Sequence, residues 1–305
     1  MNPGCPLCGA ENYTTIYKHL QYPGTSLVKC AHCLHIYTLT SHSFENEKLY
    51  NDEVYKVIEN RDSIFDKILN REYKRVIKKI NSFKPGKGAL LDFGCGKGKF
   101  GSLAKDNRWQ VKGVETAVER AAYAKEIYGL DVDTNFFIAG KIFDTDFDVL
   151  TLFHVVEHLP NPKELLNELI RQNVKKDGLV VIEVPNINSL QARIAGNHWM
   201  HLDAPRHISH FTSKRLDQFA KELGLASQRT VFFSFHLGVL GMTDSLLKLL
   251  GYRRNIIYEL KNKKSIGLKS AIALLLPLAL TLEFFSALLN RGGVIRKYFI
   301  RSTQE

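Results

Sequence analysis

No secretory leader is expected, and the sequence shows no internal repeat and no low-complexity tract. Its first residues, MNPGCPLCGAENYT, contain neither a basic n-region nor an apolar h-region. A cytoplasmic, reducing setting is therefore expected, and there clustered cysteines hold metal more often than disulfides. A P-loop is also missing, because Lys97 precedes Gly98 and Lys99 precedes Phe100 where Gly-Lys must be followed by Ser or Thr. No apolar run approaches the ~20 residues of a spanning helix. The stretch 271–282 is interrupted by Pro277 and ended by Glu283, so no transmembrane segment is expected. Acidic residues are in deficit, 31 against 42 Lys and Arg, for a net charge of +11. That bias favours an anionic partner (nucleic acid, an acidic membrane surface or a phosphorylated substrate) without choosing among them.

What is present begins with cysteine. Of five cysteines, four form two C-x-x-C pairs, Cys5 with Cys8 and Cys30 with Cys33. Two such knuckles supply four thiolates to one tetrahedral zinc, the spacing of a zinc ribbon, and a closed four-thiolate site is structural. Gly9 suits the tight turn after the first pair. His19, His32 and His35 lie close by in sequence, but four thiolates need no further ligand.

The chain of 305 residues, 45% hydrophobic and 24% charged, can bury an ordinary globular core. Tyr73, Val76, Ile77 and Ile80 recur at helical spacing, and "PGKG" at 85–88 then breaks the chain. Strands are predicted at 89–93, 110–115, 147–153 and 178–185, with a later one at "RTVFF". Helices are predicted at 99–108, 118–129 and 162–173, and in "KRLDQFAKELG" capped by Ser213. Strand and helix in alternation predict an α/β fold with a doubly wound, mostly parallel sheet. The expected division is a ribbon at 1–40, a helical linker or cap at 41–85, a core at 86–235, and a hydrophobic helical insert with a final strand at 236–305.

The glycines of "LLDFGCGKGKFG" can be tested against the first core strand. A dinucleotide fingerprint starting at Gly94 puts Lys99 in its third glycine slot, and one starting at Gly96 lies too far from the strand end. Asp92-x-Gly94-x-Gly96-x-Gly98 fits without adjustment. Glycines there let backbone approach a ligand, and the next helix presents its N-terminus to a carboxylate. Glu115, at the end of the second strand, is placed to accept hydrogen bonds from two ribose hydroxyls.

Together with "VKGVETA", "FDVLTLFHVVEHLPNP" and "DGLVVIEVPN", this pattern resembles the class I S-adenosylmethionine (SAM) methyltransferases over roughly residues 70–233. The resemblance implies a seven-stranded Rossmann-like sheet, with Asp92, Gly94, Gly96 and Gly98 lining the SAM pocket. Glu115 would hold the ribose, and Phe153 and His154 would flank the methionine and methyl end. No adenine-binding acid is evident in "DTNFFIAGKIFDTDF". The ribbon, "EKLYNDEVY" and the segment at 197–224 further resemble a bacterial group of zinc-ribbon methyltransferases linked to sugar, polysaccharide or lipid-linked glycan modification. That implies a sugar or lipid-linked glycan as acceptor.

The segment "HWMHLDAPRHISHF" crowds four histidines, an Asp and an Arg after the fifth strand. Methyl transfer needs in-line geometry and often a base, a task suited to His near neutral pH. His207 and His210 are candidates on one face of a helical turn, with Asp203 orienting one of them. The plainer alternative is that these histidines cap helices or stack on Trp199 and Phe211. The H-x-x-E-H pattern of His154, Glu157 and His158 invites a metal reading. However, the same "EHLPNP" stretch recurs in the wider family without metal, so no catalytic metal is expected. Cys95 is expected simply to line the pocket.

Basic residues flank the apolar insert: Lys261, Lys263, Lys264 and Lys269 before it, Arg291, Arg296, Lys297 and Arg301 after it. Peripheral contact of 268–290 with an anionic membrane fits that pattern. A buried helical hairpin or a homodimer contact fits it too, with "GVIRKYFI" returning as the last strand, and both readings stay open. A zinc-ribbon RNA methyltransferase and a non-catalytic SAM-binding module are the alternatives. Nucleic acid is the less expected partner because the ribbon lacks a basic–aromatic strip.

Overall fold

The computed structural model describes residues 4–20, 22–41, 64–254, 256, 259 and 266–302. Three antiparallel strands come first: β1 (Tyr13–Tyr17), β2 (Thr25–Cys30) and β3 (Ile36–Thr40). Helix α1 (Ile64–Phe83) leads into β4 (Ala89–Phe93), α2 (Lys99–Asp106), β5 (Gln110–Val114), α3 (Val118–Tyr128) and β6 (Asp131–Asp133). Then come β7 (Phe147–Phe153), α4 (Pro162–Asn173), β8 (Val174–Pro185), α5 (Leu190–Ala195), β9 (Ser209–His210), α6 (Ser213–Glu222) and β10 (Leu225–Val231). Helices α7 (Leu237–Leu249) and α8 (Ile266–Leu288) precede the closing strand β11 (Val294–Arg301).

The predicted α/β fold is the observed one. Seven strands run in the order β10-β11-β8-β7-β4-β5-β6, with β4, β5, β6, β7 and β8 parallel and β11 antiparallel to both its neighbours. Every residue of β4 is buried, as a parallel strand covered on both faces requires. Side chains alternate between two cores. Leu90, Val149 and Val181 meet Val76, Ile77 and Ile80 of α1, while Leu91, Leu150 and Val180 meet Leu166 and Leu169 of α4 and Phe219 of α6.

Several boundaries differ from expectation for identifiable reasons. Strand β8 begins at Val174, directly after α4, with Asp177 at φ 60° near its start. Thr212, not Ser213, caps α6, its hydroxyl oxygen accepting the Arg215 N–H at 3.2 Å. Strand β6 spans three residues, too few to show a period. The "EKLYNDEVY" segment lies outside the described residues.

The N-terminal three-stranded sheet does not stand apart. Strand β3 pairs with β9, Ile36 opposite His210 and Tyr37 opposite Ser209. Leu7, Val28 and Tyr37 belong to the same buried cluster as Leu152 and Ile182 of the large sheet. Helices α7 and α8 form an insert between the last two strands, and "GVIRKYFI" returns as β11, as expected. The apolar stretch is longer than its sequence suggested: α8 continues through Pro277 for 23 residues, with mean hydropathy 2.1 over an 18-residue window. By length and composition that is enough to cross a bilayer. Its inner side packs on α7, with Leu275 and Ala279 against Met242 and Leu246, and Leu268 against Leu247.

Candidate active site

The turn after β4 is built by its glycines. Gly94 sits at φ 77°, and a Cβ there would lie 2.4 Å from Cγ2 of Val155. Gly98, also at φ 77°, would place a Cβ 2.8 Å from that of Ala124. Only glycine lets this turn pack so closely against the β7 loop on one side and α3 on the other. Around Gly96 nothing lies within 4 Å of an added Cβ, so this part of the turn faces open space.

Glu115 fixes the turn from the neighbouring strand. Its Oε2 accepts the Gly96 N–H at 2.8 Å and its Oε1 accepts the Ala117 N–H at 2.9 Å. One carboxylate thus joins the loops following β4 and β5. Asp92 is buried beneath them and accepts a hydrogen bond from the Thr151 hydroxyl at 2.7 Å. Burial raises the Asp92 carboxyl to about 7, against the pull of that bond. Cys95 is buried in the same turn.

At the end of β7, Phe153 packs edge-on to Phe100 at 4.8 Å and beside Tyr73 at 6.2 Å. His154 follows at φ 55°, a left-handed conformation unusual outside glycine. Its Nδ1 lies 3.0 Å from Oε1 of Glu157 and its Nε2 lies 3.1 Å from Oε1 of Glu183. Burial works against a charge on the ring, yet the two carboxylates outweigh it and raise His154 to about 10. Burial likewise works to raise Glu157, but the His154 bond holds it down at about 2.

Behind Glu183 the alternation of charge continues inward. Arg296 Nε donates to Glu183 Oε2, and Arg296 Nη2 donates to Glu72 Oε1 at 2.7 Å. Oε2 of Glu72 lies 2.8 Å from Nδ1 of His236 and accepts the Phe235 N–H at 2.9 Å. Sequence reasoning missed Glu72, Glu183 and Arg296. The available signal was a lone acid inside the apolar strand "GLVVIEVP" and an arginine inside "GVIRKYFI", each of which needs a buried partner.

The histidine segment divides. His207 donates Nδ1–H to the His201 carbonyl at 2.8 Å, and its Nε2 lies 3.8 Å from Oδ2 of Asp203. Its ring meets that of His158 edge-on, centroids 4.6 Å apart. His158 donates Nδ1–H to the Arg206 carbonyl at 3.0 Å, and burial holds it down at about 4. Arg206 pairs with Asp203 Oδ1 at 2.5 Å, and the Ile208 N–H donates to the Glu157 carbonyl at 2.8 Å. The loop is thereby fastened to the turn carrying His154 and Glu157. His210 lies apart: it sits in strand β9, not on a helical turn, and its Nε2 is 2.9 Å from the Thr38 hydroxyl of the ribbon. His201 packs edge-on against Trp199, ring centroids 5.3 Å apart.

Around the N-terminal sheet, Cys5, Cys8, Cys30 and Cys33 place their sulfurs within 4.8 Å of one another. The Cys5–Cys33 and Cys8–Cys30 pairs are each 3.6 Å apart.

A family profile described as a methyltransferase domain matches residues 65–229, more than half of the chain. The chain belongs to that family. This SAM-dependent methyltransferase shares its fold with a putative sarcosine dimethylglycine methyltransferase from Galdieria sulphuraria, at 15% identity and a TM-score of 0.54. That alignment covers 82% of this chain and 94% of the other. The plantazolicin methyltransferase BpumL, solved in complex with SAH, is similar at 14% identity and a TM-score of 0.50. The alignment covers 84% of this chain and 93% of BpumL. No curated protein matches the methyltransferase.

Proposed function

We propose that this methyltransferase moves a methyl group from SAM to a hydroxyl oxygen of a sugar or glycan carried on a lipid, working against an anionic membrane surface. The observation that carries this reading is the outer side of α8. Leu274, Leu278, Phe285 and Leu288 recur there at i, i+4, i+11 and i+14, all exposed. Lys269, Arg253, Arg254 and Arg291 are exposed around it, while the helix's one acid, Glu283, is buried on the inner side. An apolar strip with a basic surround and no outward acid suits an interfacial helix on anionic lipid. Because its inner side packs on α7, the helix lies along the bilayer surface and does not cross it.

The insert also reaches the acceptor side. Glu283 Oε2 accepts from Gln191 Nε2 at 3.2 Å, Gln191 Oε1 accepts from Trp199 at 3.2 Å, and Trp199 abuts His201, whose carbonyl holds His207. A cleft of about 60 Å³ lined by His198, Asp203, Asp244 and Lys248 lies between that loop and α7.

In the proposed chemistry SAM lies on Gly94, Gly96 and Gly98, with Asp92 beneath the turn and its ribose on the remaining lone pairs of Glu115. Phe153 and His154 border the sulfonium. The acceptor oxygen forms the C–O bond as the S–C bond breaks with its electron pair passing to sulfur, leaving S-adenosylhomocysteine. The hydroxyl proton goes to Nε2 of His207, whose lone pair is exposed by the Nδ1–H bond to a carbonyl. Asp203, 3.8 Å away, supports the resulting imidazolium. His210, facing the ribbon, braces the β3–β9 junction instead.

The four cysteines fit a structural zinc. Thiolates about 2.3 Å from a tetrahedral ion stand roughly 3.8 Å apart, close to the 3.6 Å pairs found here. Such an ion would fix the ribbon that β9 joins, and through it the loop bearing His207.

The test is transfer of radiolabelled methyl from SAM into a bacterial extract separated into lipid, polysaccharide, nucleic-acid and protein fractions. Label in the lipid fraction, absent with Asp92→Ala, is the expected result. Label confined to RNA or protein would overturn the acceptor assignment.

A further inference from the structure

Glu157 is 1% exposed, and only one of its carboxylate oxygens is answered. Oε1 meets His154, while Oε2 is buried with no hydrogen-bond partner among the described residues. A buried anionic oxygen left alone forfeits its solvation with nothing in return. Some cationic or donor species therefore belongs beside it. One ligand atom each from Glu157, His158 and His207 lie within 4.8 Å of one another.

The two rings are oriented as ligands are. Each gives Nδ1–H to a backbone carbonyl, His158 to Arg206 at 3.0 Å and His207 to His201 at 2.8 Å. A carbonyl only accepts, so the tautomer is fixed with the lone pair on Nε2. Fixing a ring by its other N–H in this way is the usual second contact of a metal-bound histidine. The loop carrying His207 is fastened to Glu157, since the Ile208 N–H donates to the Glu157 carbonyl at 2.8 Å.

We propose that Glu157, His158 and His207 form a mononuclear site for a divalent transition-metal ion on the acceptor side of the pocket. Two imidazoles and one carboxylate suit Mn²⁺, Fe²⁺, Co²⁺ or Zn²⁺ over Mg²⁺ or Ca²⁺. Ligands about 2.1 Å from one ion stand roughly 3–4 Å apart, so binding would draw these atoms, now within 4.8 Å of one another, together by at most about 2 Å. Three protein ligands leave positions open, unlike the four closed thiolates of the ribbon. An acceptor hydroxyl bound at an open position has its pKa lowered by the ion. With its Nε2 on an ion, His207 would no longer be the base, and the hydroxyl proton would pass instead to Asp203, whose Oδ2 lies 3.8 Å from that nitrogen. The inference rests on this cluster being the acceptor side, and not on the acceptor being lipid-linked.

The test is Mn²⁺ binding to the full chain, followed by the electron paramagnetic resonance of free Mn²⁺. Mn²⁺ prefers oxygen and nitrogen donors and does not compete for four thiolates, so it reports this site with the ribbon left loaded. One Mn²⁺ per chain is expected. His158→Asn and His207→Asn should each weaken it more than about 100-fold, beyond the loss typical of outer-shell changes, while S-adenosylhomocysteine binding by calorimetry stays unchanged. That retained binding shows the variants are folded. No Mn²⁺ bound by the wild type overturns the site, as does binding that survives both variants. Methyl transfer that persists under chelation in that case leaves the acceptor reading standing, so the two failures are distinguishable.

Discussion

Nε2 of His154 lies 3.1 Å from Oε1 of Glu183, and the His154 N–H donates to the Glu183 carbonyl at 2.9 Å. Side chain and backbone of one residue thus bind the loop after β7 to the adjacent strand. The left-handed backbone at His154 is held by these two bonds and by Glu157 on the other ring nitrogen. Removing the imidazole leaves two buried carboxylates facing a gap. His154→Ala is expected to lower unfolding stability by about 3–5 kcal/mol, the usual cost of stripping one partner from a buried ion pair. Urea denaturation of the two proteins measures it, and a loss under about 1 kcal/mol would mean the network is not holding the loop.

Glu115 is expected to act on the donor side alone. Glu115→Ala removes the acceptor for the Gly96 and Ala117 N–H groups at once and any bonds to ribose. Loss of two hydrogen bonds to a charged acceptor, ~1.5–3 kcal/mol each before relaxation, predicts at least a tenfold rise in the Kd for S-adenosylhomocysteine. Calorimetry reads this directly. Glu115→Gln, which keeps one acceptor oxygen, should fall between the two, and equal affinity in all three proteins would remove Glu115 from the site.

The buried acid of α8 predicts a pH dependence. Burial raises the Glu283 carboxyl to about 7, opposed by the Gly293 N–H, Gln191 and Ser286. A carboxyl raised on folding binds its proton more tightly in the native state than in the unfolded chain. Its contribution is therefore complete below about pH 4.5 and is lost as pH rises through about 7. Asp92 and Asp244, raised to about 7 and about 6, share the sign. Relative to the wild type, Glu283→Gln should gain Tm as pH rises from 5 to 8, because the amide no longer ionises. Buried histidines such as His158, held down at about 4, contribute with the opposite sign to both proteins alike. Parallel Tm curves for the two proteins would refute the assignment.

The parts of this architecture that were legible in the sequence are those whose chemistry is local. The spacing of Asp92, Gly94, Gly96 and Gly98 against a five-residue apolar strand admits one ligand class, and the β4 turn is built on those residues. Paired C-x-x-C knuckles are equally local, and their sulfurs do converge. What was hidden depends on partners far away in sequence. Arg296 meets Glu183 and Glu72 only because β11 re-enters the sheet beside β8. The pairing of β3 with a two-residue β9 leaves no period to read, so His210 carried a signal for chemistry that its place in the sheet does not support. The length of α8 was masked by Pro277. A mid-helix proline costs about 3 kcal/mol, and the packing of Leu275, Ala279 and Leu268 on α7 offsets it.

The outer side of α8 yields the last prediction. Leu278 and Phe285 are 50% and 57% exposed, so replacing them leaves the core untouched and changes only what the surface can bind. Each apolar side chain inserted into lipid contributes about 1.5–3 kcal/mol, and a glutamate at the same place also repels an anionic headgroup. The double variant Leu278→Glu, Phe285→Glu is expected to reduce co-sedimentation with phosphatidylglycerol vesicles by more than about 100-fold. Its affinity for S-adenosylhomocysteine should not change, because the donor loops lie on β4 and β5. Wild-type binding should weaken at high salt, since the basic surround of Lys269, Arg253, Arg254 and Arg291 is screened there. If the wild type fails to bind these vesicles, or a concentration-dependent dimer that the double variant abolishes is found instead, the strip is a protein interface and the acceptor need not be lipid-borne.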